Sequence, residues 1–566
     1  MYTSKNLSKW FVIVLLLVSC VVLAKPGSAR STDQTDGVIR YVKAGGNGDC
    51  SSWAQACELQ TAIYIAVPGD QIWVAAGTYK PTTSSNRSAT FQMKSGVAIY
   101  GGFPANGGDE TSRDWQLNKT YLSGDIGLPG NINDNCYHVV TAINVDVTGS
   151  LDGFYVVNGN ANSSNQPDNT GGGIYLSNAA PTLTNVTFSD NTASYVGGGL
   201  FNWGGSATLT NVTFSANTAE SGGGMYNYDS SPSLINVTFS ENTATHDGGG
   251  MYNSGSSATL TNVTFSDNTA AYDGGGMCDY GGATLTNVTF SANTAYSGGG
   301  MYTGSNATLT NVTFSANTAE QGGGMYIVYN SSVTLINVTM VNNLAISGSG
   351  IFSVDSNVTL TNAILWGNSP DQIVGEAFVV TYSDIQGGYP GEGNINSAPL
   401  LGPLEDNGGF TLTHALLEGS PAIETGDISV CPLTDQRSFF RPVDGNGDGI
   451  EDCDMGAYEY GSYLNTYTIN ISTFGNGSVI KEPEKDFYDY GEVVTLTAIA
   501  DPGWAFGGWG GDASGLENPL TLIMDKNFNI EVAFTQNEYT LSISINPQGQ
   551  GTVTVSPIKP FYHYGD

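Results

Sequence analysis

Apolar and polar residues alternate in short stretches along most of this chain, a pattern that favours β-strands. In residues 208–215, Leu209, Val212 and Phe214 fall on one side of the stretch and the threonines fall on the other. The alternation is interrupted once, at Asn211, and asparagine tolerates the left-handed backbone angles that a bend requires. The pattern therefore predicts two short strands that meet at a bend and bury one face.

The same stretch recurs every 24 to 26 residues. Its bend asparagines are Asn185, Asn211, Asn236, Asn262, Asn287, Asn311 and Asn337, and its phenylalanines are Phe188, Phe214, Phe239, Phe265, Phe290 and Phe314. A second asparagine and a glycine triplet complete each copy. A fixed period of this length is typical of a solenoid, and strands joined by Asn and Gly bends predict a right-handed parallel β-helix in an all-β protein. Because stacked coils lie ~4.8 Å apart, we expect these asparagines and phenylalanines to form structural ladders along the axis.

The ends of the solenoid have their own patterns. Apolar residues at intervals of three and four predict a helix over about 52–66, which would cap the first coil and cover its exposed strand edge. The β-helix is expected over 36–400, with regular coils over 171–370. At the N-terminus, residues 1–24 have the basic start and short apolar run of a secretory signal peptide rather than of a transmembrane helix. A lipobox-like sequence before Cys20 leaves lipidation there as an alternative.

The pattern changes after residue 400. Residues 401–462 lose the period and predict a C-terminal cap or appended unit. Residues 465–536 predict a small β-repeat module, and residues 538–566 begin a second copy that stops early. We therefore expect the protein to continue beyond Asp566.

The charged residues of the chain exclude one class of binding partner. The chain has 17 Lys and Arg against 51 Asp and Glu, and residues 120–436 contain neither Lys nor Arg. Nucleic-acid binding requires a basic surface, so this class of function is excluded. In a secreted chain, the local cysteine pairs Cys50/Cys57 and Cys431/Cys453 predict disulfides.

Candidate chemistry is sparse. In residues 444–452, Asp444, Asn446, Asp448 and Asp452 occupy positions 1, 3, 5 and 9 of an EF-hand-like loop, which predicts a Ca²⁺ site. A turn rich in Gly and Asp is the alternative. No other cofactor is expected.

Carboxylates also recur in two columns of the repeat. One column contains Asp190, Glu241 and Asp267, and the other contains Asp247 and Asp273, beside His246. Two carboxylates suffice for glycoside hydrolysis. However, Ala216 and its equivalents replace the acids of the first column in other coils. We interpret the acids of both columns as part of a solvated face and expect no catalytic residue among them.

Residues 150–370 resemble the repeats of the chlamydial polymorphic outer-membrane proteins. That family combines an FxxN motif, here residues 214–217 and their equivalents, with a Gly-Gly-small-Ile motif, here 222–225 and, closer to the family form, 171–174. The resemblance implies a β-helix at the outer membrane or surface of a bacterial cell, often an adhesive one.

Two further resemblances concern the C-terminal segments. Residues 401–462, with Gly-Ser-Pro at 419–421 and Met-Gly-Ala at 455–457, look like a choice-of-anchor unit. Residues 465–536 resemble the divergent internalin B-type repeat through Tyr-Gly-Glu at 490–492, Gly-Trp at 508–509 and Ala-Phe at 533–534. Such repeats are strung in tandem on bacterial surface proteins.

These observations together predict a secreted or cell-surface monomer that binds a polysaccharide or a neighbouring cell without catalysis. Two alternatives remain. One is a carbohydrate-active hydrolase or lyase on a pectin-lyase-like β-helix, and the other is a structural spacer with no ligand.

Overall fold

Parallel strands stack coil upon coil into a β-helix, as the sequence predicts. The computed structural model describes residues 37–462, 466–489, 492–524, 526–544 and 551–566; the predicted signal peptide and Cys20 lie outside them. Within the described residues, a 19-stranded sheet, an 11-stranded sheet and a five-stranded sheet form the sides of the solenoid. The prediction of an all-β solenoid is confirmed.

The strands are short because each coil turns a corner every few residues. Those of the largest sheet are Ile39–Val42, Gln71–Ala75, Gly77–Tyr79, Ala98–Phe103, Thr120–Ser123, Ser150–Val157, Thr182–Ser189, Thr208–Thr210, Thr213–Ser215, Ser233–Ile235, Thr238–Ser240, Thr259–Ser266, Thr284–Ser291, Thr308–Ser315, Ser332–Val341, Asn357–Thr361, Ile364–Trp366, Phe378–Thr381 and Asp384–Ile385. The 11-stranded sheet contains Phe91–Gln92, Val140–Ile143, Ile174–Ser177, Leu200–Trp203, Met225–Tyr228, Met251–Ser254, Met277–Tyr280, Met301–Thr303, Met325–Ile327, Ile351–Ser353 and Ile373–Val374. The smallest contains Asn160–Ala161, Thr192–Ala193, Thr218–Ala219, Thr243–Ala244 and Thr269–Ala270.

The phenylalanines form a continuous stack inside the solenoid. Phe188, Phe214, Phe239, Phe265, Phe290 and Phe314 are fully buried, and successive ring centroids are 4.7–5.0 Å apart. The register is exact across coils, with Phe239 opposite Phe265 and Phe265 opposite Phe290. Equal spacing of the repeats therefore becomes equal spacing of the rings.

Two asparagine ladders run parallel to this stack. The inner ladder uses the second asparagine of each copy; Asn268 Nδ2, for example, donates to Asn293 Oδ1 at 2.9 Å and to the Phe239 carbonyl at 2.9 Å. The outer ladder uses the bend asparagines, whose φ angles are near +55°. There Asn262 Nδ2 donates to Asn236 Oδ1 at 3.0 Å. Each ladder satisfies polar groups that the bends would otherwise leave unpaired.

The acidic residues at 190, 241 and 267 occupy a position with an unusual backbone conformation. Asp190, Glu241 and Asp267 are exposed and have φ angles of 55–58°, and at the equivalent position Ala216, Ala292 and Ala316 have φ angles of 54–56°. Aspartate tolerates this left-handed conformation, so the bend accounts for Asp190 and Asp267, whereas it gives no preference for Glu241 or for the alanines.

The N-terminal helix is shorter than the sequence predicts. A 3₁₀ turn covers Trp53–Gln55, and the α-helix covers only Leu59–Ile65. The two are separated because Cys57 pairs with the first strand, its amide donating to the Tyr41 carbonyl at 3.1 Å. The α-helix buries Leu59, Ala62 and Ile63 in the core at this end of the solenoid.

Residues 401–462 lie along the side of the solenoid, over the threonines of the largest sheet. Gln436 Nε2 donates to Thr289 Oγ1 at 2.7 Å, and its Oε1 accepts from Thr313 Oγ1 at 2.7 Å. Further along, Asn337 Nδ2 donates to the Asp454 and Gly456 carbonyls. The strands Leu401–Glu405 and Thr413–Leu416 and the 3₁₀ turn Ile428–Val430 belong to this unit. It thus covers the outer asparagine ladder from Asn287 onwards.

A separate β-module follows. One sheet joins Ile469–Phe474, Trp504–Gly511 and Phe528–Gln536, another joins Gly477–Glu482, Val493–Ala500 and Leu520–Ile523, and a third pairs Thr466–Tyr467 with Tyr488–Asp489. Its own core contains Val494, Leu496, Trp509, Ile530 and Val532. In the last segment, Tyr539 and Tyr562 exchange backbone hydrogen bonds.

Candidate functional site

A column of aromatic rings runs along the outside of the 11-stranded sheet. In Met225–Tyr228, the alternation turns Met225 and Asn227 inward and Tyr226 and Tyr228 outward. The residue that follows the inward apolar residue therefore repeats on the surface of successive coils. We call these rings the ring column: Tyr175, Phe201, Tyr226, Tyr252, Tyr280, Tyr302, Tyr326 and Phe352. Successive centroids are 4.7–5.9 Å apart.

The column continues across a described coil, between those of Tyr252 and Tyr302, that lacks a ring at this position. Cys278 stands where Tyr252 and Tyr302 stand in the neighbouring coils. Tyr280, two residues later, fills the gap, with its ring 5.9 Å from Tyr252 and 5.6 Å from Tyr302. Cys278 is consequently buried, and burial raises the pKa of its thiol well above the ordinary value.

Exposed rings stand on both sides of the column. Trp203 and Tyr228 are in-register neighbours on one side and remain 43% and 44% exposed. Tyr195, Tyr272 and Tyr296 stand just before the glycines on the other side and are also exposed. Rings such as Tyr226 and Tyr252, at an interplanar angle of 2°, cover one another's faces. The exposed rings therefore offer the accessible aromatic area of this surface.

Exposed rings and ring column meet in a pocket near the start of the regular coils. We call it the aromatic pocket; its volume is about 350 Å³. Its lining residues are Gln166, Pro167, Thr170, Tyr175, Tyr195, Val196, Phe201, Trp203, Tyr226 and Tyr228. Six of these ten described residues are aromatic and none of the ten is Lys, Arg, Asp or Glu. Such a lining, apolar with a few amide and hydroxyl groups, is typical of sites for small or chain-like ligands.

Two carboxylates lie on the same surface, three and four coils beyond the coil that contains Tyr175. Asp247 and Asp273 are half-buried, and the Asp273 amide donates to Asp247 Oδ1 at 3.2 Å. Burial and the charge of Asp247 raise the pKa of Asp273 to about 6. Burial likewise raises the pKa of Asp247. The expectation of a fully solvated acidic face is therefore wrong for this pair, although it describes Asp190, Glu241 and Asp267.

A carboxylate from outside the predicted Ca²⁺ loop lies close to the carboxylates of the loop. Carboxylate oxygens of Glu424, Asp444 and Asp448 lie within 4.8 Å of one another. Asn446 donates to Asp448 at 3.4 Å, and Asp452 is paired across a β-bridge with Val443, outside this group. Oxygen atoms are the ligands that Ca²⁺ prefers. The Ca²⁺ site predicted from Asp444, Asn446, Asp448 and Asp452 stays a prediction, and Glu424 is a further carboxylate close to two of these residues.

The cysteines divide as the sequence predicts. Disulfides join Cys50 to Cys57 and Cys431 to Cys453. Cys136 and Cys278 are buried thiols. In the part of the chain that the structure describes, no helix is long and apolar enough to cross a membrane.

Sequence reasoning missed the ring column, although its signal is present in the chain. Tyr or Phe follows the apolar residue after the glycines at 175, 201, 226, 252, 302, 326 and 352. It also missed Asp168, whose carboxylate is 3.6 Å from His138 Nε2. The His138 ring lies against the Tyr175 ring, with centroids 5.2 Å apart and planes tilted by 34°, and extends the ring column by one position.

Comparison with known proteins identifies two of the parts. A family model described as a right-handed beta helix region matches residues 131–271 and 225–386, and one described as a divergent InlB B-repeat domain matches residues 467–538. These support the β-helix, with its handedness, and the internalin B-type repeat. The likeness to polymorphic outer-membrane proteins and to a choice-of-anchor unit stays a prediction.

One solved structure with a similar path of the backbone is the crystal structure of pectate lyase Pel9A. It has 15% sequence identity to this chain, covers 75% of this chain and 98% of its own, and gives a TM-score of 0.39. A likeness this distant carries no information on substrate or mechanism. No curated protein sequence gives a significant match.

Proposed function

We propose that this chain is a secreted or cell-surface protein that binds a glycan in the aromatic pocket without cleaving it. The observation that carries the proposal is the pocket itself, with Trp203 and Tyr228 on one side and Tyr195 on the other. The carbon–hydrogen faces of a sugar ring are apolar, so they lose contact with water when they pack on exposed aromatic rings. Gln166, which is exposed, can exchange hydrogen bonds with the sugar hydroxyls.

Secretion is part of the same proposal. The two disulfides form and persist in oxidising compartments, and the match to an InlB-type repeat favours the surface of a bacterial cell. An adhesive role follows if the bound glycan belongs to another cell.

Replacing Trp203 with alanine tests the pocket. We expect the dissociation constant for the bound glycan to rise by about tenfold or more, equivalent to about 1.4 kcal/mol, because the largest exposed ring of the pocket is lost. The measurement is affinity electrophoresis of the full chain in native gels that contain soluble xylan, mannan, galactan or β-glucan.

Tyr64→Ala is the matched control. Tyr64 is 84% exposed on the N-terminal helix and does not line the pocket, so this variant should migrate like the unmodified protein. If Trp203→Ala binds as tightly as Tyr64→Ala, the aromatic pocket is not the site. Absence of retardation in every glycan would instead favour the structural spacer.

A hydrolase is the second candidate, and the Asp247–Asp273 pair favours it. A carboxyl group whose pKa is raised can remain protonated near neutral pH and act as a general acid, while its neighbour remains ionised. If this pair is catalytic, purified protein should release reducing sugar from one of these glycans, and Asp273→Asn should abolish the release. Release that survives in Asp273→Asn would exclude the pair, and absence of release supports binding alone.

A further inference from the structure

If the aromatic pocket is the binding site, the charges around it limit which class of glycan can bind there. No described residue lining it carries a formal charge at neutral pH. The sequence contains no Lys or Arg between Lys119 and Arg437, a range that includes every lining residue. A uronate, sulfate or phosphate group on a sugar would therefore find no cationic side chain in the pocket.

Arg87 contacts residues shortly before the pocket-lining segment 166–170, and its Nε and Nη2 already donate to protein oxygens. Its Nε donates to the Asn135 carbonyl at 2.6 Å, and its Nη2 donates to the Asn160 carbonyl at 2.8 Å. The guanidinium also lies over the Tyr137 ring, 4.2 Å from the centroid. Recruiting Arg87 to an anionic ligand would break these part-buried contacts.

Along the ring column, the charges that a longer chain would meet are negative. Glu220 is exposed in the next coil, and Asp247 and Asp273 follow in the coils after it. In the described coils that carry these acids, His246 is the titratable base beside them, and its Nδ1 lies 4.0 Å from the Glu220 carboxylate. An anionic polymer that extends from the pocket over this surface would be repelled at each of these coils.

We propose that the ligand of the aromatic pocket is an uncharged glycan. Its sugar rings pack on Trp203, Tyr228 and Tyr195, and its hydroxyls bond to Gln166 and to the tyrosine hydroxyls that line the pocket. Recognition of this kind depends on shape and apolar contact rather than on ion pairing. It separates this protein from binders of acidic polysaccharides, which require cationic side chains or bridging metal ions.

The test compares polymers that differ in charge. Polygalacturonate and its carboxyl-reduced derivative share a backbone, and xylan, mannan and β-glucan widen the neutral set. We expect one or more neutral polymers to bind the full chain at least about tenfold more tightly than any uronate polymer. We also expect the dissociation constant to change less than about twofold between about 20 mM and about 500 mM NaCl.

The outcomes are distinguishable. Preference for a uronate or for a deacetylated amino-sugar polymer, or a steep dependence on salt, overturns the uncharged class but leaves glycan binding intact. Binding of a neutral polymer that Trp203→Ala does not weaken overturns the assignment to this pocket. Failure of every polymer to bind overturns the proposed function and the inference with it.

Discussion

Replacing Phe265 with alanine is expected to lower the free energy of unfolding of the solenoid by about 3–5 kcal/mol. Phe265 is fully buried, and its ring lies 4.8 Å from the Phe239 ring and 4.8 Å from the Phe290 ring, almost parallel to both. Removing it leaves a cavity and deprives two neighbouring rings of contact on one face. The loss therefore exceeds the transfer free energy of a single side chain.

The surroundings of Phe265 cannot close around that cavity. A methyl group on Gly250 would meet the Phe265 ring at 2.9 Å, so glycine is required there for the backbone to approach the stack. The inner ladder asparagine Asn293 donates to the Phe265 carbonyl at 2.9 Å and holds the strand in place. A backbone that is bonded to the coils on both sides relaxes little, and limited relaxation gives the larger costs of such substitutions.

Denaturant unfolding at constant m-value measures this loss, with Thr264→Ala as the control. Thr264 is the preceding residue in the same strand and points outward, so its substitution should change the free energy of unfolding by no more than about 0.5 kcal/mol. Because a solenoid can open locally, hydrogen exchange of the coils around residue 265 should report the same difference. Equal stability of the two variants would show that the phenylalanine stack contributes nothing.

The period of the sequence predicts the coil well because each coil repeats the same local backbone conformation and the same buried side chains. Leu209, Val212 and Phe214 are buried, and Asn211 adopts a φ of 55°, as the interrupted alternation requires. The helix over 52–66 was predicted less well, since the apolar spacing is helical but the backbone of Cys57 pairs with a strand. Periodicity describes side chains and does not show where a backbone amide is used.

The candidate site depends on contacts that no local pattern contains. Glu424 reaches the loop at Asp444 from about twenty residues earlier, and its carboxylate accepts from the Gly445 amide at 2.6 Å. Asp273 has an ordinary surface sequence around it, yet it is half-buried beside Asp247. The ring column is different, because its period was visible in the sequence and only its outward direction required the structure.

The second large effect is expected in the unit that lies along the side of the solenoid. Arg441 is fully buried, its Nε donates to Glu459 Oε2 at 2.6 Å, and its Nη2 donates to the Gly456 carbonyl at 3.0 Å. Glu459 also accepts from the amides of Val443 and Asp454. Arg441→Met removes the cation and leaves a buried carboxylate without compensation, which should lower the free energy of unfolding of this unit by about 3–5 kcal/mol.

The size of this loss should depend on pH. Burial raises the pKa of Glu459 above its ordinary value of 4.5, and the charge of Arg441 opposes that rise. Burial also raises the pKa of Asp454, as does the charge of Glu459. A carboxyl group with a raised pKa in the folded state contributes stability that is present below its unfolded pKa and is lost as the pH rises through its folded pKa. Without Arg441 the folded pKa rises further, so more stability is lost at high pH.

Thermal unfolding of Arg441→Met and of the unmodified protein, at about pH 5 and about pH 8, therefore tests the direction in which the loss of stability changes with pH. The difference between the two proteins should be smaller at pH 5, where Glu459 and Asp454 can take up protons, than at pH 8. Arg441→Met combined with Glu459→Gln is the matched variant: it removes both charges and should recover part of the loss at pH 8 and little at pH 5. A loss that is equal at both pH values, or that the second substitution deepens, would show that Arg441 acts through packing rather than by compensating the buried carboxylates.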